Sequence, residues 1–550
     1  MSASVSSHWD HEVRLLAWLA VCVSVFSFLF YFRRGDVLLY GDAIAHINIA
    51  RRVFDSKTPG LLQLGTVWLP LPHLLMMPFL MSNEMWRRGI GGSIPSMAAY
   101  VCSVVGMFRL VRGALASSQR NNGGATGVTR IAAWTAALVY AANPNLIYMQ
   151  TTAMGEVLYL AFFIWTVVFF SEFVRGNAKA LTKCGLCLVA ACLTRYDGWF
   201  LAAAMVVGAA VLSSRFYRER SGAARMLSAS SPRTSRTVLI KFVLLAAAGP
   251  ALWLAYNAAI YRNPLEFANG PYSAKAIERT SGTVNPAKGN LLAAGSYFLK
   301  AAELNVAEQP WLGRFWLALA LAGGVAILFT TKSAWPLLLL WLPLLFYAFS
   351  VAYGAVPIFV PTWWPFSQYN VRYGLELLPA LAVGLAVLVG LALKSYRPHD
   401  RMRLGAVLAA AAVMVASYGS IWQADPLCYR EAAINMRQHL SLDRQVANWL
   451  KALPPDATLL MYLGEHVGAV QQAGIPLKRV INEGNHRVWK QPFDPDGLWE
   501  RALANPEEFA DYVVAFEGDT VWQATRERHL KELVEIKVTG QPRAILYRAR

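Results

Sequence analysis

Along most of the chain, long apolar runs alternate with short polar breaks. Runs fall at 13–32, 93–111, 131–149, 152–173, 180–194, 198–214, 238–260, 312–330, 334–353, 371–393 and 404–422. A helix of about 20 apolar residues crosses the hydrocarbon core of a bilayer. The pattern therefore predicts about eleven transmembrane helices, with 180–194 and 198–214 the shortest. The first run does not read as a cleaved signal peptide. Its core is too long, and Phe28, Phe30, Tyr31 and Phe32 stand where small residues are expected. Segment 68–81 is apolar but broken by Pro70, Pro72 and Pro78, which predicts a re-entrant or interfacial piece that does not span. After residue 422 the pattern changes. It predicts an amphipathic helix at 443–452, strands at 458–463, 511–516, 533–538 and 543–548, and a helix at 520–531. The expected fold is an α-helical polytopic membrane protein, residues 1–422, followed by a soluble α/β domain, residues 423–550. Two long outer loops, 33–92 and 261–311, belong to the first part.

Composition agrees with this division. Of 550 residues, 56% are hydrophobic and 15% charged, against about 25% charged in a soluble domain. The formal net charge is +18, which invites comparison with nucleic-acid binders. The distribution of the charge argues otherwise. The tail from residue 423 is nearly neutral, so the body holds the excess. With the N-terminus inside, 20 of the body's 35 basic residues fall at Arg14 and on the inner loops 109–130, 175–183, 215–241, around Lys332 and 394–403. This is the positive-inside pattern of a plasma (inner) membrane protein. It predicts a cytoplasmic N-terminus and an extracytoplasmic C-terminal domain, and no nucleic-acid partner. A spanning 68–81 would turn every later loop around. The Ser/Arg-rich stretch 221–237 reads as a mobile inner loop. Six cysteines, five of them in apolar runs, form no disulfide framework. Cys184-x-x-Cys187 lacks a second pair of metal ligands.

The chemistry-bearing residues cluster at the outer ends of the spans. Asp42 stands in Tyr40-Gly41-Asp42-Ala43-Ile44-Ala45-His46, just after the first span. It fits two roles, a helix cap or a general base for a hydroxyl. His46 follows one helical turn later on the same face, and with His73 it could join Asp42 around an ion. Glu156 begins the fourth span, where an ionisable group is a functional candidate. Thr194-Arg195-Tyr196-Asp197-Gly198 makes a tight outer turn with an Arg–Asp pair. Arg372 opens the tenth span, and a guanidinium suits a phosphate. Lys275 lies in the second long outer loop. No Walker A, HExxH or GxSxG motif is present.

These pieces, in this order, resemble the GT-C superfamily of integral membrane glycosyltransferases, above all its protein O-mannosyltransferase and aminoarabinose-transferase branch. The likeness rests on an acidic first outer loop, a Pro-rich segment Leu69 to Met81, the Asn143-Pro144 to Glu156 stretch, the Thr194-Arg195 turn and Arg372-Tyr373 to Pro379. It implies a polyprenyl-phosphate sugar donor and transfer to an acceptor hydroxyl, the acceptor being a glycan, lipid or protein. It implies Asp42 as base and Glu156 as a second acidic group. It implies Arg372, Tyr373 and Arg195 as donor-phosphate contacts, with Tyr40, His46, His73 and Lys275 lining the site. The resemblance implies no certain cofactor and leaves a divalent metal open. The O-mannosyltransferases follow the first-loop Asp with Glu, whereas Ala43 stands here. Two rival readings keep the same spans: a transporter or lipid flippase without covalent chemistry, and an anchored assembly subunit whose tail does the work.

Overall fold

The computed structural model describes residues 3–116, 125–221, 236–282, 284–330, 334–395, 400–485 and 496–550. The inner loop expected at 221–237 falls almost wholly on 222–235, outside the described residues, as does Lys332. Among the described residues, eight helical stretches are long and apolar enough to cross a membrane: His11–Arg34, Ile90–Ala116, Glu156–Val174, Arg236–Tyr261, Pro310–Phe329, Trp335–Tyr353, Val371–Ser395 and one starting at Arg401. The other three expected spans also fall on helices: Ala125–Ala141, Ala178–Cys192 and Asp197–Ser221, the last apolar over Asp197–Leu212. The expected run 131–149 is split. Asn143 caps a new helix, Pro144–Met149, by accepting the Leu146 amide, and Pro144 occupies the first turn, where no amide donor is needed. By length and composition together, eight of the eleven expected spans qualify among the described residues.

Segment 68–81 forms the helix Leu71–Leu80. Ten residues at 1.5 Å each give about 15 Å, half of a hydrocarbon core. It is too short to span, as its prolines implied.

Close backbone approaches bring the later helices together. A Cβ on Gly323 would stand 2.3 Å from the Gly384 carbonyl oxygen, so the helices carrying them touch backbone to backbone. A Cβ on Gly374 would stand 2.5 Å from the Ala301 backbone. That glycine lets the segment Val371–Leu377 lie against the helix Leu291–Val306.

The tail begins with one long helix, Leu427–Leu450, rather than the short one expected at 443–452. Five strands follow: β1 (Leu459–Met461), β2 (Val480–Ile481), β3 (Tyr512–Phe516), β4 (Lys531–Ile536) and β5 (Ala544–Arg548). They pair in the order β2-β1-β3-β5-β4, parallel about β1 and antiparallel about β5. The two-residue β2 gave no periodic signal. The helix expected to reach 531 stops at Thr525, because β4 already starts at Lys531.

Alternation along the strands divides the sheet's two faces. Met461, Val514, Phe516 and Leu546 join Leu442, Val446 and Leu450 in the same core that runs through the membrane helices. Leu460, Val513 and Ala515 face away and pack on Trp499, Ala502 and Val521. The tail thus shares its main core with the body.

The segment 33–92 is clamped to this tail. In the helix Gly41–Arg52, the Asn48 amide donates to Gln471 Oε1 at 2.6 Å and accepts from Trp86 Nε1 at 3.0 Å. Gln63 donates to the Gly484 carbonyl at 2.8 Å. Within the loop, His46 Nδ1 lies 2.8 Å from His73 Nε2, tying Gly41–Arg52 to Leu71–Leu80. The Trp68 ring covers His46 at 4.6 Å.

Burial pushes His46 below the usual histidine range, against the opposing pull of Asp42 and Glu156. Burial pushes His73 well below it, and His46 acts in the same direction. In the unfolded chain both rings titrate near 6.5. Below that pH the unfolded chain binds more protons than the folded one, so this part of the stability is present above about pH 6.5 and lost as pH falls. The unfolding free energy of the purified protein should fall between about pH 7.5 and 5.5, by at most about 1.4 kcal/mol per pH unit for each histidine, and the melting midpoint should fall with it. His73→Asn should flatten that dependence. A midpoint that holds steady or rises on acidification contradicts a neutral pair.

Candidate active site

Asp42 lies in the first turn of its helix, and Tyr40 holds the cap position without a side-chain bond. The capping role is therefore not the one Asp42 takes. Its carboxylate instead meets Arg372 Nη2 at 2.6 Å while remaining 41% exposed.

Arg372 is the centre of the site. It follows Asn370, which takes a left-handed conformation at φ 58°, one that Asn tolerates better than most side chains. The turn sends the amides of Asn370 and Arg372 to one side, where Glu431 accepts both, at 2.8 and 3.2 Å. The guanidinium then divides among three carboxylates. Nη1 meets Glu431 at 2.6 Å, Nε meets Glu156 at 3.0 Å, and Nη2 meets Asp42. Tyr40 and Tyr373 face the guanidinium at 5.2 and 5.0 Å, within cation–π range. Tyr40 is buried and donates its hydroxyl to the Cys428 carbonyl at 2.8 Å. Burial pushes that hydroxyl well above the ordinary tyrosine range.

Arg195 forms the second cationic point. The turn that carries it puts Nε 3.2 Å from Asp197, the pair expected from sequence, and 3.2 Å from Glu376. Nη1 reaches Glu156 at 3.1 Å and Nη2 donates to the Tyr347 hydroxyl at 2.8 Å. Tyr347 in turn donates its single proton to one of two acceptors, Glu376 at 2.7 Å or Asp197 at 3.2 Å. Arg195 also lies over Tyr373 at 4.9 Å, so one tyrosine ring serves both arginines.

Five carboxylates thus share two guanidiniums. Glu156 Oε2 and Glu376 Oε2 are buried without a hydrogen-bond partner. A carboxylate in that state is costly unless a cation, a proton or a donor reaches it. The arrangement combines an accessible carboxylate, two fixed positive forks and unfilled acceptor atoms. It can take a proton from a hydroxyl at Asp42 and neutralise an anion at Arg372.

Asp42, Glu156, Arg195, Arg372, Tyr373 and Tyr40 therefore meet in one place. His46 and His73 lie beside it but bond to each other, so the ion-holding trio with Asp42 does not assemble. Lys275 stands apart, exposed on the helix Ala274–Ser281, with no ion pair to the cluster among the described residues. Glu431 and Glu376 were not foreseen. Glu376 had a signal, being one turn beyond Arg372 in an apolar span. Glu431 sits in Leu427-Cys428-Tyr429-Arg430-Glu431-Ala432-Ala433, a tail segment whose apolar neighbours hinted at burial.

No protein-family model and no curated protein matches the sequence. Solved structures do match it. ArnT from Cupriavidus metallidurans in the apo state aligns with a TM-score of 0.55 at 13% identity, over 99% of this chain and 98% of that one. The same protein bound to undecaprenyl phosphate aligns with a TM-score of 0.54 at 13% identity, over 97% of each chain. At this identity the likeness is one of fold, and it extends over almost the whole of both chains.

Proposed function

We propose that the protein transfers a sugar from a polyprenyl-phosphate donor to an acceptor hydroxyl at the extracytoplasmic face of the plasma membrane. The observation that carries this reading is the exposed Asp42 carboxylate held on the same guanidinium as buried Glu156 and Glu431. The fold shared with ArnT, whose structure holds undecaprenyl phosphate, supports a lipid-phosphate donor. Residues 1–422 form the catalytic membrane part and 423–550 an α/β domain that completes it through Glu431.

Asp42 accepts the hydroxyl proton, and the acceptor oxygen forms a bond to the anomeric carbon. The bond from that carbon to the phosphate oxygen breaks, and polyprenyl phosphate leaves as an anion. Arg372 and Arg195 stabilise that charge, since fixed cations act strongly at a water-poor site. The phosphate must compete for Arg372 with its three carboxylates. Asp42 is the one to give way, at 41% exposure against 2% for Glu156 and 1% for Glu431. Donor binding at Arg372 would thus release the base it is paired with. His46 and His73 support the base helix, and Tyr373 aligns both arginines.

Purified protein given a labelled polyprenyl-phosphate sugar should release polyprenyl phosphate. Asp42→Asn should lower turnover about 10²–10⁴-fold, the usual worth of a general base, while donor binding persists. Unchanged turnover removes Asp42 from that role, and sugar movement across liposomes without release makes the protein a transporter. Arg372→Lys keeps the charge but loses the fork, and should raise the donor KM about tenfold or more. An unaltered KM would place the phosphate elsewhere. For sidedness, Lys451→Cys, on an exposed tail position, should react with an impermeant thiol reagent in intact cells. Reaction only after permeabilisation reverses the topology.

A further inference from the structure

The junction of tail and first loop holds three side chains that this chemistry leaves unused. His439 and Asp443 lie one helical turn apart on Leu427–Leu450, a spacing that puts them on one face. His466 approaches from the helix Leu463–Ala473. One ligand atom from each lies within 4.8 Å of the others. His466 Nδ1 is 3.0 Å from Asp443 Oδ1, and His439 Nε2 is 3.8 Å from Asp443 Oδ2. Asp443 and His466 are buried, and His439 is 18% exposed at the edge.

Several local features converge on this cluster. The two imidazoles stack at 4.6 Å and 8°, and Phe516 stacks on the far face of His466 at 3.6 Å and 9°. Both rings are thereby fixed with a nitrogen toward the same carboxylate. His466 leaves helical geometry, at φ −115° and ψ 22°, inside its own helix. Gly468 faces the carboxylate so closely that a Cβ there would lie 2.4 Å from Asp443 Oδ2. His439 Nε2 donates a hydrogen bond to the Glu465 carbonyl oxygen at 2.8 Å, and that nitrogen gives up this proton when it takes a metal. Among the described residues, the ion pairs of Asp443 are with these two histidines alone. A hydrogen bond from His466 satisfies one carboxylate oxygen. It leaves the other 3.8 Å from His439, beyond hydrogen-bond range.

We propose that His439, Asp443 and His466 bind a divalent transition metal of the zinc class. Two imidazole nitrogens and a carboxylate oxygen are a zinc donor set. Bonds of about 2.0–2.2 Å in a tetrahedron hold neighbouring ligand atoms roughly 3.3 Å apart, and the 3.0 and 3.8 Å separations lie on either side of that spacing. The metal pins one helix to another at a point that matters for the cluster around Arg372. The first of these helices carries Glu431. The second rests on the Asp42 helix, where Ile44 lies 3.6 Å from the Cβ position of Gly468 and Asn48 bonds Gln471. The site is structural, and it stands whether or not the proposed sugar transfer is correct.

The test uses full-length protein in detergent, stripped with a chelator and then incubated with zinc or cobalt(II). Elemental analysis should find about one equivalent of zinc, and cobalt(II) should give visible absorption bands of a four- or five-coordinate N/O site. Zinc should also raise the melting midpoint of the stripped protein. His439→Ala, at the edge of the site, should fold and weaken metal binding about tenfold or more. Asp443→Asn should weaken it further. Wild-type protein that retains no stoichiometric zinc, or a His439→Ala protein that binds it equally well, overturns the proposal.

Discussion

One guanidinium organises the region where the first loop, the membrane helices and the tail meet. Arg372 joins carboxylates separated by hundreds of residues: Asp42 after the first span, Glu156 at the head of a central helix, and Glu431 in the tail. A buried arginine must find partners for its donors or bear a heavy desolvation cost. That requirement brings three separate segments to one point, and in the one around Glu156 no other charge lies between residues 142 and 171. Glu431 does more than pair. By accepting two backbone amides it also holds the turn from which Arg372 projects.

The balance of charge around this point is uneven by design of the chain. Two arginines face five carboxylates, and two carboxylate oxygens are left without partners. Among the described residues, both guanidiniums are taken up by carboxylates. Of the three partners of Arg372, Asp42 is the accessible one. On the proposed reading, an arriving anion displaces Asp42 and so frees a base, a link that positive charge alone would not provide.

The tail takes part in the same structure. One face of its sheet continues the membrane core, its first helix supplies Glu431, and its second helix supports the helix of Asp42. The His439, Asp443 and His466 cluster sits where these two helices meet. Tail and first loop are set relative to each other by hydrogen bonds and apolar packing, while the cluster lies between two helices of the tail itself.

Sequence alone determined the membrane class, because apolar runs near the length of a bilayer are a one-dimensional property. It also determined that 68–81 stays short, since prolines act locally. It brought out Asp42, Glu156, Arg195 and Arg372, each being a charge where apolar residues prevail. Four of the five strands were legible from alternation, and two-residue β2 was not, since two residues carry no period. The break at Asn143-Pro144 was legible locally but hidden inside a long apolar run. Tertiary structure alone brought Glu431 and Glu376 to the two guanidiniums and set Lys275 apart from them. It decided that His46 pairs with His73 rather than with Asp42. These are contacts between residues far apart in the chain. They depend on how helices pack, and no spacing along the sequence encodes that.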